Sequence, residues 1–212
     1  MKDPIADPVL KTIIDHLKDE YRCHTVLLYG SRARGEATPE SDYDVLGIRK
    51  SGKKTRIARK KRGYYWDVFV YPERDIKNLT DQNLSWKDAV IVWEQGRYGR
   101  NLVKRIQKLS KKYFIPAPRY EIDVTKIWAQ KQIDRYKKGD VHGLYRRAEL
   151  QVAALADYFK IRKKRFWGPK AALKWLEMND PAAFKLFVRV YKNPNDDRAL
   201  KALVSKVYGY NH

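Results

Sequence analysis

Apolar positions follow two different rhythms in the two halves of the chain. Val9, Leu10, Ile13, Ile14 and Leu17 recur at helical spacing, with Pro8 suited to an opening turn. Thr25 to Tyr29 is a short apolar run ending at Gly30, the pattern of a buried strand. Tyr43 to Ile48 and Tyr64 to Tyr71, rich in β-branched and aromatic residues, predict two more strands. Leu102, Val103, Ile106 and Leu109 return to helical spacing. Pro116-Ala117-Pro118 blocks helix continuation and reads as a linker. Beyond it the pattern is helical throughout. Ile127, Ile133 and Tyr136, then Leu144, Ala148, Leu150, Ala154, Leu155 and Tyr158, predict two helices around a Gly139–Gly143 break. Another opens after Gly168-Pro169, and Pro181 and Pro194 each mark the start of a new helix. The expected architecture is α+β: a small sheet-containing domain over residues 1–110, then a helical bundle over residues 119–212.

The composition supports folding and points to a class of partner. Hydrophobic residues make up 43% of the 212, enough for a packed core, which excludes disorder as the main state. The 46 Lys and Arg outnumber the 25 Asp and Glu, for a formal charge of +21. Such a field disfavours cationic ligands and favours polyanions: nucleic acid, a phosphorylated metabolite or an anionic membrane. No apolar run is long enough to span a bilayer, and the N-terminus lacks a signal-peptide core. The single cysteine, Cys23, can form neither an internal disulfide nor a thiolate metal site. A soluble, cytoplasmic protein is expected.

The chemistry concentrates between Tyr29 and Ile48, YGSRARGEATPESDYDVLGI. One strand ends at Gly30-Ser31, ten residues follow, and the next begins with Asp42-Tyr43-Asp44. Residues i and i+2 of a strand share a face, so Asp42 and Asp44 present two carboxylates together. Paired carboxylates suit Mg²⁺, which completes its shell with substrate phosphate oxygens. Two such ions can clamp an attacking hydroxyl and a leaving pyrophosphate in line. Asp67, alone among the apolar and aromatic residues of Tyr65 to Val70, is the candidate third carboxylate, because an unpaired charge there is costly. Gly30 lets the backbone approach a phosphate, Ser31 offers a hydroxyl, and Arg32 and Arg34 add charge to that nucleotide pocket.

This pattern, Gly30-Ser31 followed after ten residues by Asp42-x-Asp44, resembles the nucleotidyltransferase superfamily with the DNA polymerase β-type catalytic fold. Asp67 matches that family's third carboxylate. The sequence is most similar to the minimal and the kanamycin-type antibiotic nucleotidyltransferases, over roughly residues 1–110. The resemblance implies a mixed sheet with helices and the transfer of a nucleoside monophosphate from an NTP such as ATP to a hydroxyl. It further implies two Mg²⁺ ions, held by Asp42, Asp44 and Asp67, and release of pyrophosphate. By the same resemblance the helical half shapes the acceptor site. The basic charge argues against the cationic acceptors of antibiotic-modifying relatives and towards an anionic macromolecule such as tRNA. A small-molecule or protein acceptor is the alternative, and a basic RNA-binding module is the non-enzymatic one.

Four weaker signals remain. Arg49–Arg62 carries nine basic residues in fourteen, either a grip on phosphates or a solvated hairpin. Lys160–Lys170 mixes basic residues with Phe166 and Trp167, which suits nucleic-acid stacking or plain interhelical packing. Arg135 and His142 resemble the Arg-x6-His ribonuclease motif of HEPN domains, helical partners of minimal nucleotidyltransferases. Glu94 is a second candidate general base beside Asp67, though a Glu in such a segment more often sits at the surface.

Overall fold

A computed structural model describes residues 7–112 and 114–209. The chain forms two compact units, Met1–Phe114 and Ile115–His212. The first holds α1 (Pro8–Asp19), β1 (Thr25–Tyr29), a single turn α2 (Gly30–Ala33), β2 (Tyr43–Arg49), β3 (Thr55–Lys61), β4 (Tyr64–Pro72), β5 (Val90–Glu94) and α3 (Tyr98–Lys112). Two 3₁₀ segments, Glu73–Ile76 and Asp81–Trp86, lie between β4 and β5.

The sheet is mixed, in the order β3-β4-β2-β1-β5. β1 is antiparallel to β2 and β5, β3 is antiparallel to β4, and β2 and β4 run parallel. Two apolar layers flank it. On one face Val26, Leu28, Tyr43, Val45, Trp66, Val68 and Val70 pack under α1, which contributes Leu10, Ile13, Ile14 and Leu17. On the other, Leu27, Leu46 and Ile48 meet Leu102, Val103 and Ile106 of α3 and the 3₁₀ residues Ile76, Leu84 and Trp86. The start of α1 is fixed by Asp7, whose carboxylate accepts from the Val9 and Leu10 amides at 2.9 and 3.1 Å. The same carboxylate accepts from the Tyr43 hydroxyl at 2.7 Å, tying the helix cap to β2.

Two strands escape the sequence pattern. The basic run contains β3, whose turn into β4 is Arg62-Gly63, with φ of 52° and 84°. Two successive positive φ values are what a two-residue type I′ hairpin requires. Arginine is an unusual occupant of the first position, and basic residues along the strand hide its alternation. β5 is the β-branched segment Val90-Ile91-Val92-Trp93-Glu94, paired on the far edge of the sheet.

The second unit contains α4 (Arg119–Tyr136), α5 (Val141–Ile161), α6 (Pro169–Asn179), α7 (Pro181–Lys192) and α8 (Asp197–Tyr208) around one apolar core. In its first two helices Ile133, Tyr136, Leu150, Ala154, Leu155 and Tyr158 are buried as the apolar spacing predicts, but individual positions depart from it. Ile127 and Leu144 are exposed, whereas Gln132, Arg147 and Gln151 are buried. The Arg147 and Gln151 side chains both donate to the Pro194 carbonyl, at 2.7 and 2.6 Å, and Arg147 also pairs with Asp197. Pro194 therefore supplies an acceptor and does not open a helix; α8 starts at Asp197, capped by Asp196.

Asp180 joins three elements of this unit. It caps α7 by accepting from the Ala183 amide at 3.0 Å, accepts from the Tyr158 hydroxyl at 2.6 Å, and pairs with Lys206 at 3.0 Å. Burial pushes its carboxyl up, but the bonds from Tyr158, Ala183 and Lys206 outweigh it and hold the group below its ordinary 3.8. A carboxylate with a depressed folded pKa stabilises above its unfolded pKa and loses that effect as pH falls through the folded value. Asp180→Asn is expected to cost about 1–3 kcal/mol at neutral pH and to flatten the acid limb of stability below pH ~4. Urea titrations across that range check both effects.

Candidate active site

The β2–β4 pairing sets Asp44 directly opposite Asp67. Neighbouring strands lie about 4.8 Å apart, so two carboxylates leave the same face of the sheet side by side. Tyr29, at the end of β1, pairs with Asp44 from the other side. Burial raises the Tyr29 phenol well above its ordinary range, and the charges of Asp44 and Asp67 raise it further. Both carboxylates therefore act on one point. Asp42 stands one residue before β2, half-buried, with the buried Tyr43 ring between it and Asp44 turned towards α1.

Gly30 is dictated by this arrangement. Its φ is +72°, a region side chains disfavour, and a Cβ there would lie 1.9 Å from Oδ2 of Asp44. The turn after β1 thus closes directly onto the carboxylate. Ser31 follows, buried, and its hydroxyl has no hydrogen-bond partner among the described residues. A buried unpaired hydroxyl costs about 1–3 kcal/mol, which a ligand oxygen would recover.

The ten-residue spacing has a structural role. After α2 the chain turns back through Thr38–Ser41, where the Thr38 amide donates to the Ser41 hydroxyl at 2.9 Å. Arg32 then fastens the returning segment, donating to the Ser41 and Asp42 carbonyls at 2.7 and 3.0 Å. Its guanidinium lies 3.8 Å from the Tyr43 ring centroid. Arg32 is placed as the brace of Asp42. Arg34 is half-exposed and pairs with Glu36 at 2.8 Å.

Arg56 and Tyr29 are the site residues that sequence reasoning misses. The Arg56 guanidinium grips Asp67 through two bonds, of 2.8 and 3.0 Å. Arg56 is 58% exposed and Asp67 27%, so the pair is open to solvent and inexpensive to separate. The missed strand β3 is what delivers it. Glu94 sits elsewhere: it pairs with Thr25, four residues along β1 from Tyr29, about 13 Å away. Its buried carboxylate caps the start of α3, accepting from the Gly99 amide at 3.0 Å, and pairs with Arg100. That geometry sets Glu94 apart from Asp44 and Asp67. In the second unit, Arg135 and His142 are both exposed, and His142 meets Tyr145 edge-on. Phe166 and Trp167 are partly exposed, with Phe166 against Phe159 and Arg165 over Trp167, so packing and exposure coexist there.

Among the described residues no three His, Cys, Asp or Glu side chains converge closely enough to hold an ion by themselves. The donors nevertheless fit Mg²⁺ in kind. Asp44 and Asp67 are hard oxygen ligands on adjacent strands, and a cation, the Arg56 guanidinium, already occupies Asp67. Mg²⁺ takes one or two protein carboxylates and fills its octahedron with water and phosphate oxygens, so a three-ligand protein cage is not required.

Residues 10–113 match the family described as nucleotidyltransferase domain. A crystal structure of a nucleotidyltransferase-like protein from Exiguobacterium sibiricum 255-15 is similar at 13% identity and a TM-score of 0.37, covering 94% of this chain and 72% of that one. Among curated proteins, no relative matches this sequence.

The contact between Gly30 and Asp44 yields a test by substitution. Gly30→Ala is expected to destabilise by about 1–3 kcal/mol through strain at positive φ and through collision with the carboxylate. Asp44→Ala in the same chain should restore part of that loss, because the colliding oxygen is gone. Urea denaturation of the two single variants and the double variant measures the coupling, and strict additivity would refute the close approach.

Proposed function

We propose that this chain, whose residues 10–113 match the nucleotidyltransferase domain family, transfers a nucleoside monophosphate from an NTP to an acceptor hydroxyl, with the turn at Gly30-Ser31 holding the triphosphate. The observation that carries the reading is the in-register pair Asp44 and Asp67 beside that turn. Two adjacent carboxylates repel each other, an arrangement that gains its value when cations and phosphates enter between them.

Asp42, Asp44 and Asp67 would hold Mg²⁺, which when bound neutralises the triphosphate and lowers the pKa of the attacking hydroxyl. The chain's own groups do the rest. The Ser31 hydroxyl, unpaired in its buried position, donates to a phosphate oxygen. Gly30, without a side chain, lets that phosphate come close to the backbone. Arg32 holds the Asp42 segment in place through its two carbonyl bonds. Arg56 releases Asp67 and turns its charge to an incoming phosphate, freeing a carboxylate to receive the acceptor's proton. In the transfer, a bond forms between the acceptor oxygen and the α-phosphorus. The bond from that phosphorus to the bridging oxygen breaks, and pyrophosphate leaves with its electron pair.

For the acceptor, an anionic macromolecule such as tRNA is the reading that the charge of +21 supports. No helix among the described residues is long and apolar enough to cross a membrane.

The test is label transfer. Purified protein, an α-labelled NTP and Mg²⁺ are incubated with separate RNA, protein and small-molecule fractions of a cell extract. Label should enter the RNA fraction, disappear on chelation, and be lost in Asp44→Asn and Asp67→Asn while both variants stay folded. Ser31→Ala should weaken NTP binding by about 1–3 kcal/mol, roughly 5- to 150-fold. Undiminished transfer by Asp44→Asn would overturn the assignment.

A further inference from the structure

The face of the sheet that bears Asp44 and Asp67 continues outward onto the β3–β4 hairpin, where β3 and the Tyr65 end of β4 are exposed. Along β4, Trp66, Val68 and Val70 are buried on the α1 side; of the residues that alternate with them, Tyr65 is exposed, Asp67 is half-buried, and Phe69 and Tyr71 are partly buried against the second apolar layer. Tyr65 is 57% exposed. β3 is an edge strand, and its register places Lys60 opposite Tyr65, Ala58 opposite Asp67 and Arg56 opposite Phe69.

This face therefore carries a ladder of cations over rings. The Lys60 ammonium is 5.1 Å from the Tyr65 ring centroid, Arg56 is 4.9 Å from Phe69, and Lys54 is 4.5 Å from Tyr71. Successive rungs are about 6.6 Å apart, two strand residues. The rung at Asp67 is the exception. There the opposing side chain is Ala58, the smallest in β3, so at the sheet edge Asp67 is met only by the solvent-exposed Arg56 guanidinium reaching from the next rung. Basic residues on an edge strand also prevent edge-to-edge association. Edge protection needs charge alone, however; it does not call for a ring beneath each cation, nor for the exposed Tyr65 ring at the outer end of the ladder.

We infer that this hairpin face is the acceptor platform, binding single-stranded RNA with a base stacked on Tyr65 and phosphates at Lys60 and Lys54, and leading a ribose hydroxyl past Ala58 to Asp67. The inference rests on the proposed transfer reaction for its last step only. Stacking on an aromatic together with cationic contacts to the backbone is how single strands are held without sequence readout. A duplex is a poorer fit, since its bases are already stacked and cannot reach the Tyr65 ring.

The opposite face of the same strand supplies an internal control. Arg59 and Lys61 point away from Asp67 and lie 4.5 and 5.4 Å from the Trp66 ring. Lys54→Ser with Lys60→Ser, and Arg59→Ser with Lys61→Ser, remove equal charge from the two faces of one hairpin.

The experiment uses the full chain, without NTP or divalent cation, and fluorescence anisotropy of a labelled 12-nucleotide single-stranded oligoadenylate. Tyr65→Ala should raise Kd about tenfold. The Lys54/Lys60 pair of substitutions should flatten the slope of log affinity against log salt by about 1.4, some 0.7 for each lost phosphate contact. The Arg59/Lys61 pair should change that slope much less. Tyr65→Phe, which retains the stacking ring, should bind as the unaltered chain does. Equal losses from both charge pairs, or no response to Tyr65→Ala, would overturn the platform. Equal displacement of the RNA by polyglutamate of matched charge would also overturn it, in favour of an acidic protein partner. Because binding is read without transfer, a loss of RNA affinity in Tyr65→Ala supports the platform even if Asp44→Asn were to leave transfer intact.

Discussion

The parallel register of β2 against β4 is the constraint on which the site depends. Side chains alternate across a strand, so a slip by one residue would turn Asp67 into the apolar layer beneath α1. It would set Trp66 or Val68 beside Asp44 instead. Trp66 and Val68 are almost wholly buried, and burying such side chains contributes about 1.5–3 kcal/mol each. The core under α1 therefore enforces the register, and the carboxylate pair follows from it. Gly30 completes the arrangement from β1. Only a residue without Cβ allows the turn to close onto Asp44.

How much of this was legible in the sequence varied with the physical origin of each feature. Gly30, Ser31, Asp42 and Asp44 stand out because a close backbone approach and a two-residue strand period leave marks in spacing. Asp67 stands out as a charge in an apolar run. The partners of these residues are not legible in the same way. Arg56 meets Asp67 only through pairing between β3 and β4, and β3 is masked by charge at nearly every position and by an Arg-Gly turn. Glu94 looks like a free acid until α3 is seen to begin beside it. In the helical unit, apolar spacing finds the buried face of α4 and α5 but not its extent: Ile127 and Leu144 near their starts are exposed, and Gln132, Arg147 and Gln151 are buried beside Ile133, Leu150 and Ala154. For Arg147 and Gln151, the Pro194 carbonyl offsets the cost of their polar groups.

The excess positive charge is not uniform in its use. Arg32 braces the Asp42 segment from over the Tyr43 ring, and Arg147 is consumed in packing. Arg56 pairs with Asp67, where its charge offsets the repulsion between Asp67 and the neighbouring Asp44. Lys54 and Lys60 lie on the same face over the partly buried Tyr71 ring and the exposed Tyr65 ring. Arg56 and Lys60 are equally far along β3 from Ala58, the partner of Asp67, yet Arg56 meets the carboxylate and Lys60 lies over the Tyr65 ring.

The central claim is that Asp44 and Asp67 work as one unit created by strand register. The most direct measurement is a double-mutant cycle on single-turnover label transfer with Asp44→Asn, Asp67→Asn and the pair together. If the carboxylates form one site, the double variant should be no slower than the slower single variant, because the first substitution already removes the shared function. Rate losses that multiply would show two independent groups and contradict the account.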